Sequence, residues 1–147
     1  PELRRRGLPG YLETNGLLPG HLERVVGLVD WIAMDLKPPS CTGDPLPDWL
    51  ERHRDFLRVA RSGATPPRLF AKLIVSAAAD EDELRAAFHL LAEEAPDAGL
   101  TLQPVTPFGA VTSAPSMSAM LRWHEMASGY VREVRLLPQL HKLMHVL

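Results

Sequence analysis

The sequence predicts an α/β fold with about four to five mainly parallel strands, on three observations. Short apolar runs alternate with stretches of helical period, the rhythm of βα units. Runs such as "WIAM" and "LIV" are unbroken rather than strictly alternating, which suits strands buried on both faces of a parallel sheet. Strand–helix–strand crossovers are right-handed, so successive strands should run parallel or nearly so.

The elements follow in order. The first strand is expected over 10–14 and stops at Glu13, Thr14, Asn15 and Gly16, where Asn-Gly is a turn signal because both residues tolerate positive φ. Leu22, Val25, Val26 and Val29 then fall on one helical face. The second strand is expected over 31–36. A Pro-rich loop, 38–47, leads to a helix beginning near Pro47-Asp48 and stopping at Gly63, with Trp49, His53, Phe56, Leu57 and Ala60 inward. After a strand over 68–75, Asp80 is placed to cap a helix, with Glu83 three residues on and able to reach back to the cap's own N–H. Leu84, Ala87, Phe88, Leu91 and Ala95 form its buried stripe. A strand over 100–105 precedes a long loop, 106–115. A last helix from about Ser116 to Ser128 has Met117, Met120, Leu121, His124 and Ala127 inward, and the final strand is expected over 133–137.

Bulk properties exclude several classes. The chain has 147 residues, enough for one domain or a piece of a larger one, and 46% of them are hydrophobic, so a core can form. A net charge of −2 gives no electrostatic case for nucleic acid or an anionic membrane. Arg4-Arg5-Arg6 reads as a solvated helix end. No apolar run approaches the ~20 residues of a membrane span. The single cysteine, Cys41, excludes a disulfide framework and points to a reducing, cytoplasmic setting. It reads as an incidental loop thiol rather than a nucleophile. Neither GxxxxGK[ST] nor GxGxxG nor HExxH is present. His124, His141 and His145 lack a Cys or carboxylate at zinc spacing, so no metal site is assigned.

In parallel α/β folds the ligand lies beyond the carboxyl ends of the strands. Those ends are polar here: Glu13, Thr14 and Asn15 on the first strand, Asp35 and Lys37 on the second, Lys72 and Ser76 on the third, Gln103 and Thr106 on the fourth, and Gln139, His141 and Lys142 after the fifth. Each alone has an ordinary structural reading, but together they describe the rim of a ligand mouth. Asp35 and Lys37 lie two apart and so share a face, offering a carboxylate and an ammonium to a zwitterion such as an amino acid.

"LETNG" at 12–16 and "VDWIAMDLKPPS" at 29–40 resemble motifs of the radical S-adenosylmethionine (SAM) superfamily. "LQPVTP" at 102–107 and the closing "LLPQLHKLMHVL" at 136–147, with its Gln-x-His-Lys segment, are similar to the branch of 7-carboxy-7-deazaguanine synthases. The resemblance spans nearly the whole chain. It implies the C-terminal portion of a single partial (βα) barrel domain, residues 1–147. It implies SAM held by Glu13, Thr14, Asn15, Asp35 and Lys37. It also implies a carboxypterin facing Gln103 and His141, with Lys72, Gln139 and Lys142 nearby. The implied reaction is a radical carbon–nitrogen lyase step, a ring contraction of 6-carboxy-5,6,7,8-tetrahydropterin that expels ammonia and gives 7-carboxy-7-deazaguanine for queuosine-type bases. The implied cofactors are SAM, a 4Fe-4S cluster and Mg²⁺, and the implied partners are an electron donor such as flavodoxin or ferredoxin and a second copy in a homodimer.

The superfamily's Cys-x3-Cys-x2-Cys and Gly-Gly-Glu-Pro motifs are not in this chain. One thiol cannot hold a cluster that takes three from the protein. Pro1 is therefore expected to be an internal start, the chain alone to be inactive, and its first strand to expose an edge. A glycyl-radical activating enzyme and a non-catalytic α/β module that binds a nucleoside are the alternative readings.

Overall fold

In a computed structural model, which describes residues 2–43, 45–107, 109 and 111–138, five strands form one sheet. They are β1 (Tyr11–Thr14), β2 (Trp31–Leu36), β3 (Arg68–Val75), β4 (Gly99–Pro104) and β5 (Val134–Leu136), side by side in chain order. Every neighbouring pair is parallel. The helices are α1 (Glu2–Arg5), α2 (Pro19–Leu22), α3 (Trp49–Arg61), α4 (Glu81–Glu94) and α5 (Met117–Ser128). The outer edge of β1 pairs with no other strand among the described residues.

One face of the sheet is buried throughout and the other only in part, at Ala33 and at Ile74 within the buried Leu73–Val75 run. Ile32, Met34, Leu36, Leu69, Ala71, Leu73, Val75, Leu100 and Leu102 join one core with the apolar stripes of α3, α4 and α5. The alternate residues Glu13, Asp35, Lys72, Thr101 and Gln103 fall on the other face, and none of them is buried. The unbroken "WIAM" run misled because Ala33, the small residue that points to the open face, is itself fully covered. Beside β3 and β4 the alternation is plain: Leu69, Ala71 and Leu73 are buried, whereas Phe70 and Lys72 are partly exposed.

Two helices form as expected. The inward set of α3 is Trp49, His53, Phe56, Leu57 and Ala60, all buried. Its outer side is tied to α4 by Arg54 to Glu93 and Glu94 (3.2 and 3.0 Å) and by Arg58 to Glu94 (3.0 Å). In α4, Leu84, Ala87, Phe88 and Leu91 are buried, with Ala95 just past its end. Asp80 caps it by accepting from Asp82 N (2.8 Å). Arg5 and Arg6 pair with Glu2 at the exposed chain start.

Three expectations need correction. The segment around Leu22–Val29 is not one helix: α2 is a single turn and Val26–Leu28 is a 3-10 turn, with only Leu22 buried. β-branched Val25, Val26 and Val29, broken by Gly27, are poor material for a continuous helix. In α5 the inward residues are Met120, Trp123 and Ala127; Met117 is 70% and Leu121 56% exposed. Trp123 claims the buried stripe because it brings more apolar area, and its indole N–H still reaches Glu81 (3.2 Å). Finally, Glu83 does not reach back to Asp80. Its carboxylate accepts instead from Ser40 N (2.9 Å) and Ser40 Oγ (2.6 Å), and the Asp80 N–H donates to Ser40 Oγ (2.9 Å).

Candidate functional site

Register brings the first cluster together. Glu13 lies beside Ala33, and Asp35 lies beside Lys72, so Glu13, Asp35 and Lys72 project from adjacent strands onto the open face. Lys72 Nζ sits 2.5 Å from Glu13 Oε1 and 2.8 Å from Asp35 Oδ1. Burial of the Lys72 ammonium works against its charge, but the two carboxylates outweigh it and raise its pKa above the ordinary lysine value. Lys72 is therefore a cation at neutral pH. Its contact with Asp35 is close without being aligned: Asp35 Oδ1 is shut off from solvent and has no hydrogen-bond partner among the described residues. The oxygen is compensated in charge but left without an aligned donor.

Beyond these strand ends lies a hollow of about 100 Å³, walled by Asn15, Asp35, Lys37, Thr42, Trp49 and His53. A hollow of this size is small beside the cavity of about 730 Å³ on the open face and suits a small polar group such as an amino-acid head. Lys37 lies one residue past the end of β2 and lines the same hollow as Asp35, as their spacing predicted.

The polar run after β1 is a built turn. Thr14 Oγ1 accepts from Gly16 N (3.1 Å), and Asn15 Oδ1 accepts from Leu17 N (3.3 Å). Gly16 has φ +66, and a Cβ there would lie 2.6 Å from Met34 Cγ and Sδ and 3.0 Å from His53 Cδ2. Only glycine lets the turn close against the core. The side-chain oxygens of Thr14 and Asn15 thus shape the rim.

His53 is a site residue that sequence reasoning assigned only to the core stripe. It is 2% exposed. Nδ1 lies 2.6 Å from Trp49 O, while Nε2 lies 3.0 Å from Asn15 O and 3.3 Å from Asp35 O. Burial lowers its pKa, and the three carbonyl contacts oppose that without cancelling it. A buried helical histidine with polar strand ends elsewhere in the chain was the available signal.

The loop after β2 is pinned as well. Ser40 is held by Glu83 and Asp80 as described, and Cys41 Sγ accepts from Ser76 N (3.4 Å). Cys41 is buried in this arrangement, and among the described residues no three His, Cys, Asp or Glu side chains converge as a metal site. The residues present do not fit a 4Fe-4S cluster.

On the open face a larger cavity of about 730 Å³ is lined by Trp31, Arg68, Phe70, Lys72, Thr101 and Gln103, among others. That is within the usual range for a small-molecule pocket. Arg68 stacks over Trp31 at 5.0 Å. Gln103 Nε2 donates to Pro138 O at 3.4 Å. Lys72 and Gln103 thus share this cavity, but the Lys72 ammonium is spent on Glu13 and Asp35. Gln139, His141 and Lys142 lie outside the described residues.

No protein-family model matches the chain. It is 38% identical over 140 residues to 7-carboxy-7-deazaguanine synthase of Geobacter sulfurreducens (strain ATCC 51573 / DSM 12127 / PCA), covering 95% of this chain and 53% of that protein. The chain therefore spans about half the length of the curated relative it matches. Its fold matches part of a radical SAM methyltransferase from Sphaerobacter thermophilus, with a TM-score of 0.62 at 15% identity, over 90% of this chain and 42% of the other. The parallel α/β sheet expected from the sequence is thus a fold shared with part of a radical SAM methyltransferase, and the chain is similar over nearly its whole length to about half of a 7-carboxy-7-deazaguanine synthase.

Proposed function

We propose that this chain supplies the SAM-gripping and substrate-facing part of a radical SAM enzyme of the 7-carboxy-7-deazaguanine synthase type. The observation that carries the reading is the hollow at the ends of β1 and β2. There the carboxylate of Asp35 and the ammonium-bearing Lys37 stand on the same wall. An α-amino acid head has an ammonium for the first and a carboxylate for the second.

The residues fit the amino-acid end of SAM. When bound, SAM would supply the carbon-centred radical that begins the reaction. Asp35 and Lys37 orient its head. Lys72 holds the Asp35 carboxylate in place and is itself fixed by Glu13. Thr14 and Asn15 accept from backbone N–H groups of the rim turn, which leaves the Thr14 hydroxyl proton and the Asn15 amide N–H groups to face SAM. The substrate is 6-carboxy-5,6,7,8-tetrahydropterin, received in the open-face cavity beside Gln103; Gln139, His141 and Lys142 are kept as substrate contacts on the sequence resemblance alone. The reaction is its ring contraction with loss of ammonia, a carbon–nitrogen lyase step. No step is assigned to the cluster, to Mg²⁺ or to an electron donor, for which the described residues offer no ligands.

Calorimetric titration of the chain with SAM tests this. Asp35→Ala and Lys37→Ala are each expected to weaken binding by about tenfold, or ~1.4 kcal/mol, the usual cost of a lost charged hydrogen bond. SAM binding that neither substitution changes would overturn the assignment.

A further inference from the structure

We propose that His53 is a positioning residue for the strand-end hollow: its Nε2–H ties the peptide units that end β1 and β2 to the first turn of α3. The inference rests on the SAM reading for its functional weight, but its geometry stands separately.

The hollow's walls come from three elements: Asn15 follows β1, Asp35 ends β2, and Trp49 and His53 begin α3. The backbone ladder between β1 and β2 stops at the Thr14–Met34 register, and on the open face Lys72 links Glu13 to Asp35 by side chain alone. Beyond that point His53 bridges the two chains, with Nε2 facing both Asn15 O (3.0 Å) and Asp35 O (3.3 Å). Both are carbonyls and can only accept, so the contact holds when Nε2 carries the proton. Trp49 O faces Nδ1 at 2.6 Å and has the helix's own N–H groups as alternative donors, so with the proton on Nε2 the Nδ1 lone pair must draw back from that oxygen, and the ring ¹⁵N shifts decide which nitrogen carries the proton. The Nε2 contacts have no such substitute in the helix. The ring is 2% exposed, and Gly16 packs against its Cδ2, so it has no room to swing away. His53 touches no ligand in this scheme. It sets the distance between Asn15 and Asp35, and through Asp35 the direction of the carboxylate that Lys72 holds.

Glutamine and asparagine separate the two nitrogens: Gln places its amide near the Nε2 position and Asn near Nδ1. Three measurements on the 147-residue chain decide the matter: ¹⁵N chemical shifts of the His53 ring, amide exchange at Gly16 and Leu36, and SAM affinity by calorimetry. The expected result is a protonated Nε2. His53→Gln should keep slow exchange at both amides and near-native affinity. His53→Asn should speed exchange at those amides and weaken SAM binding, each by about tenfold, as for a lost buried hydrogen bond. An unprotonated Nε2, or a folded His53→Asn chain with native exchange at Gly16 and Leu36, overturns the proposal. If the unaltered chain binds no SAM, the SAM reading fails, while ring nitrogen and exchange still decide the role of His53. If His53→Asn does not fold, the ring shifts and His53→Gln decide it.

Discussion

Replacing Lys72 by Met keeps the aliphatic stem and removes the charge between Glu13 and Asp35. The two carboxylates should not feel this equally. The Glu13 side chain is 62% exposed, so water screens its contact and the pair contributes at most ~1 kcal/mol. The Asp35 side chain is 24% exposed, with Oδ1 shielded from solvent, and Lys72 is 19% exposed. Removing the partner of a fully buried charge costs ~3–5 kcal/mol. A half-buried pair lies between these limits, so Lys72→Met should cost about 2 kcal/mol. With unfolding entropy near 2.1 cal/mol/K per residue, a chain of 147 residues would lose about 6 °C in Tm. Urea unfolding at pH 7 of Lys72→Met, Asp35→Asn and the double variant gives the pairwise term, expected at about 1–2 kcal/mol. A Lys72→Met chain within ~0.5 kcal/mol of the native one, or strict additivity in the cycle, would refute the view that Lys72 exists to hold Asp35.

Two further outcomes follow from the same region. Gly16→Ala must adopt φ +66 and place a Cβ 2.6 Å from Met34 Sδ. Left-handed backbone costs ~1–2 kcal/mol and overpacking ~1–3, so a loss of about 3 kcal/mol is expected in urea unfolding, and unchanged stability would contradict the packing. His53 has a folded pKa below its ordinary 6.5, chiefly through burial, so the unfolded chain binds the extra proton first. The stability it contributes is present above about pH 6.5 and is lost as pH falls below it, and the urea midpoint should drop between pH 7.5 and 5.5 in the native chain and much less in His53→Gln.

Strand order and the two strongest helices were legible because period and cap chemistry agree there. The α3 stripe from Trp49 to Ala60 recurs at helical spacing and ends at Gly63, and Asp80 announces α4. The strand-end rim was legible in outline for a simple reason: charged residues at the ends of apolar runs have nowhere buried to go. What escaped the sequence was long-range partnership. Glu83 has the spacing of a capping box, yet Ser40, 43 residues away, offers it two donors at once. A local rule cannot see a competitor arriving from another loop. Met117 and Leu121 fit a helical stripe as well as Trp123 does, and only the packing against β4 and β5 chooses between them. His53 was read correctly as buried, but which carbonyls it meets depends on where β1 and β2 stop.

The charge of the cluster also decides which ligand group belongs near it. Lys72, as a bare lysine on an inner strand, suggests a hand for the carboxylate of a pterin. The structure gives it two carboxylates within 2.8 Å, and the single formal negative charge left by Glu13, Asp35 and Lys72 is offset by Lys37 on the wall beside Asp35. SAM is a cation at two centres, its ammonium and its sulfonium, whereas a carboxypterin is an anion. A balanced cluster of this kind suits a zwitterion, as the amino-acid end of the proposed SAM ligand is, better than an anion. The larger open-face cavity is mixed in sign, with Arg68 over Trp31 at 5.0 Å and with Asp97, Glu133 and Arg135 in the same lining.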